Sequence, residues 1–220
     1  HHLEEVHIAS DRNLIDARFP VQYVIRPQQQ TDAELHDYRG YAGQMAGGVL
    51  KPGDEVVVLP SGTTTTIAAI TTPSGPVDAA FAPMAVTITL ADEVDVSRGD
   101  MIARRRTQPH VGQDIEAMVC WMSDDTWLRQ GAKLAIKHTT RWARAVVKDL
   151  QYQLDVNTLH RYEDAVGLSL NEIGRVTLRT TQPLFYDEYR RNRATGSFIL
   201  VDESSHTTVG AGMILGPTGE

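Results

Sequence analysis

The sequence predicts an all-β protein made of two consecutive antiparallel β-barrels. Apolar and polar side chains alternate with a period of two in several short runs, which is typical of strands with one face on a core and the other in water. Turn residues separate these runs at short intervals, a spacing that favours barrels or sandwiches over parallel βαβ sheets. Helical signal is limited to the stretch 159–170 and to about one turn over residues 34–38.

The first barrel is expected over residues 18–107. Its clearest strand, Ala85–Leu90, alternates apolar and hydroxyl side chains, and Thr63–Thr66 is a β-branched run that suits a pleated surface. The sequence Pro52-Gly53-Asp54 predicts a turn between strands, because proline presets its own φ and glycine accepts a positive φ. Residues 1–17 are interpreted as a lead-in to this barrel.

The second barrel is expected over residues 113–216, after a short connector that contains Pro109. Arg175–Thr180 alternates in the strand pattern. The even positions of Asp149–Val156 are apolar and are expected on the core face: Leu150, Tyr152, Leu154 and Val156.

Charge and composition exclude several classes of protein. The formal net charge is −7, with −5 in residues 1–112 and −2 in residues 113–220, so neither half has the positive field of a general nucleic-acid binder. No apolar run approaches the roughly 20 residues that a membrane-spanning helix needs, and the start of the chain lacks a secretory signal pattern. Cys120 is the single cysteine, expected as a buried strand thiol, and this usage fits a cytoplasmic protein.

The sequence carries no motif for catalysis, nucleotide binding or metal binding. The phosphate-binding pattern G-x-x-x-x-G-K-[ST] is missing, and the glycines of Gly210-Ala211-Gly212 fall in a predicted strand, where close backbone packing explains them better. His138 and His160 stand singly, without the spacing of metal ligands. The acidic pairs Asp124-Asp125 and Glu163-Asp164 are interpreted as solvated loop residues. We therefore expect no catalytic, cofactor-binding or metal-binding residues in this chain.

Two basic segments are candidates for contact with a partner. Arg104, Arg105 and Arg106 close the first barrel, although a strand alternates its faces and cannot direct all three side chains the same way. A predicted loop of the second barrel mixes aromatic and basic side chains that are favoured at interfaces. The candidates in this loop are Tyr189, Arg190, Arg191 and Arg193. The alternative for both segments is an ordinary charged connection between strands.

Segments spread over nearly the whole chain resemble the large subunit of bacterial sulfate adenylyltransferase, a GTPase subunit that some bacteria fuse to adenylylsulfate kinase. The segments that carry the resemblance include Ala9–Leu14, Arg18–Pro27, Asp37–Gly43, Val96–Asp100, Lys148–Tyr152, Leu168–Gly174 and Tyr189–Ile199. Lys51–Asp54 and Val209–Gly212 alone are similar only to the barrels of translation factors in general.

The resemblance implies a protein like elongation factor Tu, in which a GTP-binding domain precedes barrels of the domain 2 and domain 3 type. Such a subunit uses GTP and Mg²⁺, and couples GTP hydrolysis to the synthesis of adenylyl sulfate and diphosphate from ATP and sulfate by a smaller subunit. Residues 1–17 then lead in from a GTPase domain that this sequence does not contain. The implied partners are that GTPase domain, the small ATP-using subunit and, in a fusion, the kinase.

Two other functions stay open at this point. The barrels could form a translation-factor-like module that binds RNA, which the acidic charge balance opposes and a steeply salt-dependent RNA affinity would support. They could also form an independent enzyme for a small molecule, which would need convergent polar groups in a pocket.

Overall fold

The computed structural model describes residues 13–26 and 38–218, which form sixteen strands in two closed barrels. The strands of the first barrel and its attachments are β1 (Arg18–Ile25), β2 (Gly40–Gln44), β3 (Val49–Leu50), β4 (Glu55–Leu59), β5 (Thr63–Thr72), β6 (Gly75–Pro76), β7 (Ala80–Phe81), β8 (Ala85–Leu90) and β9 (Met101–Arg104). Those of the second are β10 (His110–Trp121), β11 (Lys133–His138), β12 (Arg141–Leu154), β13 (Arg161–Tyr162), β14 (Ile173–Tyr186), β15 (Ser197–Val201) and β16 (Thr208–Pro217).

Six strands of the first barrel pair in the order β4-β9-β1-β2-β8-β5, and a pairing between β4 and β5 closes the ring. Every pairing is antiparallel. The alternation predicted for Ala85–Leu90 is confirmed, because Val86 and Ile88 lie in the barrel core while Thr87 and Thr89 are only half-buried. The predicted turn before β4 is also confirmed, with Gly53 at φ +88°.

The second barrel repeats this architecture with the strand order β11-β15-β16-β10-β14-β12 and closure between β11 and β12. Trp121 is buried in its core. The prediction of close packing at Gly212 is confirmed, because a Cβ there would lie 2.1 Å from Cζ of Phe198. The two consecutive antiparallel barrels predicted from the sequence are thus present.

Three local expectations differ from the structure. The stretch 159–170 is not helical but contains β13, turns and an isolated bridge at Leu168. Register shifts at Val147/Asp149 and Leu150/Tyr152 interrupt the alternation of β12, which ends beyond the barrel where it pairs with β13. Leu150 still packs on the core, whereas Val156 is exposed. Cys120 is only partly buried, because it lies on the outer face of β10.

Between the barrels, the chain passes from β9 to β10 without an intervening strand. The last strand of the first barrel ends at Arg104, and β10 begins at His110. Of the predicted lead-in, residues 13–17 are described and lie against both barrels, while residues 1–12 lie outside the described part of the chain, as do residues 34–37 of the predicted helical turn. Over residues 13–26 and 38–218 there is no helix with the length and apolar character to cross a membrane.

The second barrel has two ends with different surroundings. One end faces the first barrel, because β12 begins at Arg141, which contacts Gly99, and β14 ends beside Asp187, which contacts Arg18. We call this contact region the joint. The opposite end, here the distal pole, carries the loops 122–132, 155–172 and 202–207.

Candidate functional site: the joint between the two barrels

A buried ion pair crosses from one barrel to the other. Arg18, the first residue of β1, donates from Nε to Oδ2 of Asp187 at 2.9 Å and from Nη2 to Oδ1 at 2.8 Å. Only 1% and 4% of the two side chains are exposed. Nη1 of Arg18 donates to the carbonyls of Ala17 and Thr107. Because the contact is bidentate, it fixes the relative orientation of the groups as well as their distance.

A buried histidine extends this ion pair into the second barrel. Oγ1 of Thr195 donates to Oδ2 of Asp187 at 2.7 Å, and the carbonyl of Thr195 lies 2.7 Å from Nε2 of His138. Since a carbonyl only accepts, Nε2 carries the proton and donates. Burial lowers the pKa of His138, and this outweighs the opposing effects of the Thr195 carbonyl and of the Asp187 charge. The imidazole is therefore neutral at pH 7.

A second ion pair ties the segment before β1 to the second barrel. Nε and Nη2 of Arg191 donate to the two carboxylate oxygens of Asp16 at 2.8 and 3.0 Å. Burial alone would raise the pKa of Asp16, but the hydrogen bonds from Arg191 and Asn13 outweigh it, so the pKa lies below its ordinary value. The same hydrogen bond to Asp16 raises the pKa of Arg191.

The segment 46–48 of the first barrel lies against Asn192 of the second barrel. Nδ2 of Asn192 donates to the carbonyl of Ala46 at 3.1 Å, while its Oδ1 accepts from the backbone of Ala194 at 3.0 Å. A Cβ at Gly47 would lie 2.6 Å from Nδ2 of Asn192, and one at Gly48 would lie 2.3 Å from the Cα of Ala17. A side chain at Gly47 would therefore push against the second barrel, whereas one at Gly48 would overlap the backbone of residues 16–17 within the first barrel.

An apolar cluster completes the joint. The ring of Phe185 from β14 packs with four side chains of the first barrel, namely Val57, Leu59, Met101 and Ala103. The guanidinium of Arg141 lies 4.7 Å from the centre of this ring and donates to the carbonyl of Gly99 at 3.1 Å. Its closest carboxylate is Asp100 at 3.6 Å.

Burial outweighs attraction at the pair of Arg141 and Asp100. It raises the pKa of Asp100 and lowers the pKa of Arg141, so both shifts favour the neutral forms. Nε of Arg141 is buried without a hydrogen-bond partner among the described residues. The Arg141–Asp100 contact is therefore weak evidence for stabilisation of the joint.

A groove of about 420 Å³ runs beside the joint. Its walls come from both barrels and combine apolar side chains with amides, hydroxyls and one guanidinium. The lining residues are Asn13, Pro20, Gln22, Gln44, Met45, Ala46, Ala82, Pro83, Thr139, Thr140, Asn192, Arg193 and Ala194. Chemically, this lining suits hydrogen bonding and packing against another protein surface. Over the described residues, no three histidine, cysteine or carboxylate side chains lie grouped as metal ligands would.

The three arginines that close the first barrel have separate environments. Nη2 of Arg104 donates to the carbonyl of Val49 at 2.8 Å and to Oδ2 of Asp54 at 2.9 Å. Arg105 lies in the turn after β9 and pairs with Glu55 at 3.2 Å. Arg106 is exposed and makes no hydrogen bond or ion pair to another described residue. The contact of this segment with a partner stays a prediction. Of the three arginines, Arg106 is the one whose side chain is available to bind such a partner.

The aromatic and basic loop of the second barrel is divided between the joint and the surface. Arg191 contacts Asp16 at the joint, as described above. Arg190 is exposed and pairs with Glu188. Arg193 lines the groove, and its guanidinium lies 5.9 Å from the ring centre of Tyr189. The prediction that these four residues meet an external partner remains open, and the structure places Arg191 on Asp16 and Arg193 on the groove.

Sequence reasoning missed the main residues of the joint. Arg18 and Asp187 are separated by 169 positions, so no local pattern connects them. For the apolar cluster a signal was present, because Val56–Leu59 is a continuous apolar run instead of an alternating one. Such a run indicates a strand that is covered on both faces.

Comparison with known proteins places the chain in a family. A family model described as GTP-eEF1A C-terminal domain-like matches residues 114–215. A "Bifunctional enzyme CysN/CysC" of Mycobacterium tuberculosis is 58% identical over 97% of the chain, which covers 34% of that relative's length. A "Sulfate adenylyltransferase subunit 1" of Bacteroides fragilis is 43% identical over 97% of the chain and 43% of its own length.

Solved structures share the fold at low sequence identity. The crystal structure of Sup35 complexed with GMPPNP superposes with a TM-score of 0.82 at 16% identity, covering 99% of this chain and 51% of Sup35. The complex with GDP gives 0.81. At this sequence identity, both matches show only that the two barrels share a fold with Sup35. Over nearly all of its length, the chain belongs to the family of sulfate adenylyltransferase subunit 1 and the CysN/CysC enzymes, and it spans less than half of the members it matches.

Proposed function

We propose that this chain is the non-catalytic barrel unit of a sulfate adenylyltransferase GTPase subunit. In the whole protein, GTP hydrolysis would be coupled to the conversion of ATP and sulfate into adenylyl sulfate and diphosphate. The barrels would act as the rigid body against which the GTPase domain closes and on which the small subunit docks. The observation that carries this proposal is the joint, with its buried Arg18–Asp187 pair, in a chain 58% identical to a CysN/CysC enzyme.

A rigid pair of barrels suits this role for a physical reason. A GTPase reorders its switch segments when the γ-phosphate is lost. That motion has an effect elsewhere only if some surface packs differently against the two states. Closed barrels without free edges, tied by the apolar cluster around Phe185, would transmit such a difference without deforming.

We assign no nucleotide contact to this chain. The sequence lacks the phosphate-binding pattern, and the groove beside the joint is lined by one guanidinium and no lysine. GTP with Mg²⁺ would bind the GTPase domain, and ATP the small subunit. The proposed partners are that domain, the small subunit and a fused adenylylsulfate kinase in proteins of the CysN/CysC type, all in the cytoplasm.

The proposal is tested by adding a separately expressed GTPase domain of this family to the chain. With the domain loaded with GDP or with a non-hydrolysable GTP analogue, we expect dissociation constants that differ by about tenfold or more, or about 1.4 kcal/mol. Isothermal titration calorimetry measures both. Equal affinities, or no binding in either state, would count against the proposal.

A further inference from the structure

The distal pole of the second barrel exposes an unusual amount of apolar surface. Of the fifteen large hydrophobic side chains that are exposed in the described residues, seven lie on two of its loops, 122–132 and 155–172. They are Met122, Trp127, Val156, Leu159, Tyr162, Val166 and Leu170. Exposed apolar side chains that are concentrated on one part of a surface mark interaction sites more often than scattered ones do.

The two loops lie side by side and form one surface. Leu128 and Leu168 pair through two backbone hydrogen bonds of 2.9 and 2.8 Å. A Cβ at Gly167 would lie 3.5 Å from the indole of Trp127. Trp127 and Val166, which are 53% and 82% exposed, line the same shallow hollow together with Asp125.

One part of this surface, the turn at residues 155–160, is ordered by backbone hydrogen bonds. Leu159 is 71% exposed and has φ +60°, a left-handed conformation that costs a leucine about 1–2 kcal/mol. The backbone N–H of Leu159 donates to the carbonyl of Asp155 at 2.8 Å, and that of Asp155 donates to the carbonyl of His160 at 2.9 Å. A loop ordered in this way loses little entropy when a partner binds.

The charge of the distal pole restricts the partner. The two loops contain six carboxylates and two arginines. Two of the carboxylates accept hydrogen bonds within their own loops, at Asp155 and Glu172. The other four are exposed and make no ion pair with a described residue: Asp124, Asp125, Glu163 and Asp164. This surface repels RNA, an anionic membrane and a second copy of itself, and attracts a basic protein surface.

We propose that the distal pole is the docking surface for a basic protein partner whose apolar side chain packs over Trp127 and Val166. We assign this partner as the small adenylyltransferase subunit, and this assignment rests on the proposed function. Lysine or arginine side chains of the partner would face Asp125, Glu163 and Asp164. The groove beside the joint, at the other end of the barrel, would then stay free for the GTPase domain.

The test uses calorimetric titration of the small subunit into the 220-residue chain at 50 and 300 mM salt. Trp127→Ala should weaken binding tenfold or more, and Val166→Ser, which removes a side chain with few internal contacts, should weaken it in the same direction. Trp142→Ala is the matched control, because Trp142 is 48% exposed on the same barrel near the joint. It should change affinity less than twofold. The triple variant Asp125→Asn, Glu163→Gln, Asp164→Asn should lose most of the salt dependence.

The outcomes separate the inference from the proposed function. If the small subunit binds and the Trp127 and Val166 variants match the Trp142 control, the docking surface lies elsewhere and only the inference is overturned. If the unaltered chain does not bind the small subunit, both fail. If sedimentation shows a dimer that Trp127→Ala dissociates, the surface is a contact between copies and the inference is also wrong.

Discussion

At the scale of single residues, burial decides how strongly the loss of an ion-pair partner changes the stability of the protein. Asp187 and Glu188 are adjacent residues of the second barrel, yet the side chains of their partners Arg18 and Arg190 are 1% and 86% exposed. An exposed pair contributes little, because water screens it and ordering two long side chains opposes it. Removing one member of a buried pair is different, since the remaining charge stays buried without compensation.

We therefore expect Asp187→Asn to destabilise the protein by about 3–5 kcal/mol. The amide keeps the size of the carboxylate but leaves the Arg18 guanidinium uncompensated. Urea denaturation measures the loss, and Glu188→Gln is the adjacent control, expected within about 0.5 kcal/mol of the unaltered chain. Equal effects of the two substitutions would show that the buried pair does not stabilise the joint.

His138 makes the joint sensitive to acid. Its pKa is lowered in the folded chain by burial, whereas the unfolded chain has the ordinary value of about 6.5. Below pH 6.5 the unfolded state binds more protons than the folded state. The contribution of His138 to the free energy of unfolding is therefore fully present above this pH and falls as the pH drops below it. Asp187 and Arg141 are the charged groups that act on the imidazole, in opposite directions.

We expect the free energy of unfolding to decrease between pH 6.5 and 5.5 with a slope of up to about 1.4 kcal/mol per pH unit from this group. His138→Gln retains an N–H donor for the Thr195 carbonyl and should flatten this slope. His160→Gln, on an exposed loop, should leave it unchanged. Urea titrations at three pH values compare the slopes, and identical slopes in all three proteins would contradict the assignment.

At the scale of elements, β4 and β9 explain how the sequence encodes the joint. Val56 and Val58 point into the first barrel, while Val57 and Leu59 point outwards and are buried by Phe185. Alternation alone predicts a strand with one wet face, and this prediction suffices for β8. The continuous run in β4 indicates two covered faces, but it does not identify the element that covers the second one.

The glycine at position 48 is the most constrained turn residue of the joint. It combines φ +63° with a site for Cβ only 2.3 Å from the Cα of Ala17. Gly53 also has a positive φ, of +88°, but a Cβ there meets no atom within 4 Å. The two positions therefore separate backbone strain from steric overlap.

Gly53→Ala should cost about 1–2 kcal/mol, the penalty of the left-handed conformation. Gly48→Ala should cost a further 1–3 kcal/mol or so, because the backbone of residues 16–17 must shift. Chemical denaturation of both variants gives the difference. If Gly48→Ala is no more destabilising than Gly53→Ala, the close approach of Gly48 to residues 16–17 is not required for stability.

At the scale of the whole molecule, the arrangement of the barrels depends on contacts that no local pattern contains. The sequence predicts both barrels because strand alternation and turn residues act within a few positions. At the joint, Arg18 contacts Asp187, which is 169 positions away in the sequence, and Asp16 contacts Arg191, which is 175 positions away. For the loop around Arg191, sequence reasoning identified interface-forming residue types and left open which surface they meet.

If the joint couples the barrels, they unfold together. All three tryptophans, Trp121, Trp127 and Trp142, belong to the second barrel, so fluorescence reports on that barrel while circular dichroism reports on both. We expect coincident urea transitions by the two probes, the signature of a cooperative unit.

Met101→Asp should separate the two transitions, because Met101 lies on the outer face of β9 and a carboxylate there is solvated only after the barrels part. Tyr23→Asp, at an outer position of β1 that is 65% exposed, is the control and should keep the transitions coincident. Separate transitions in the unaltered chain would mean that the joint is too weak to make the barrels a single rigid body.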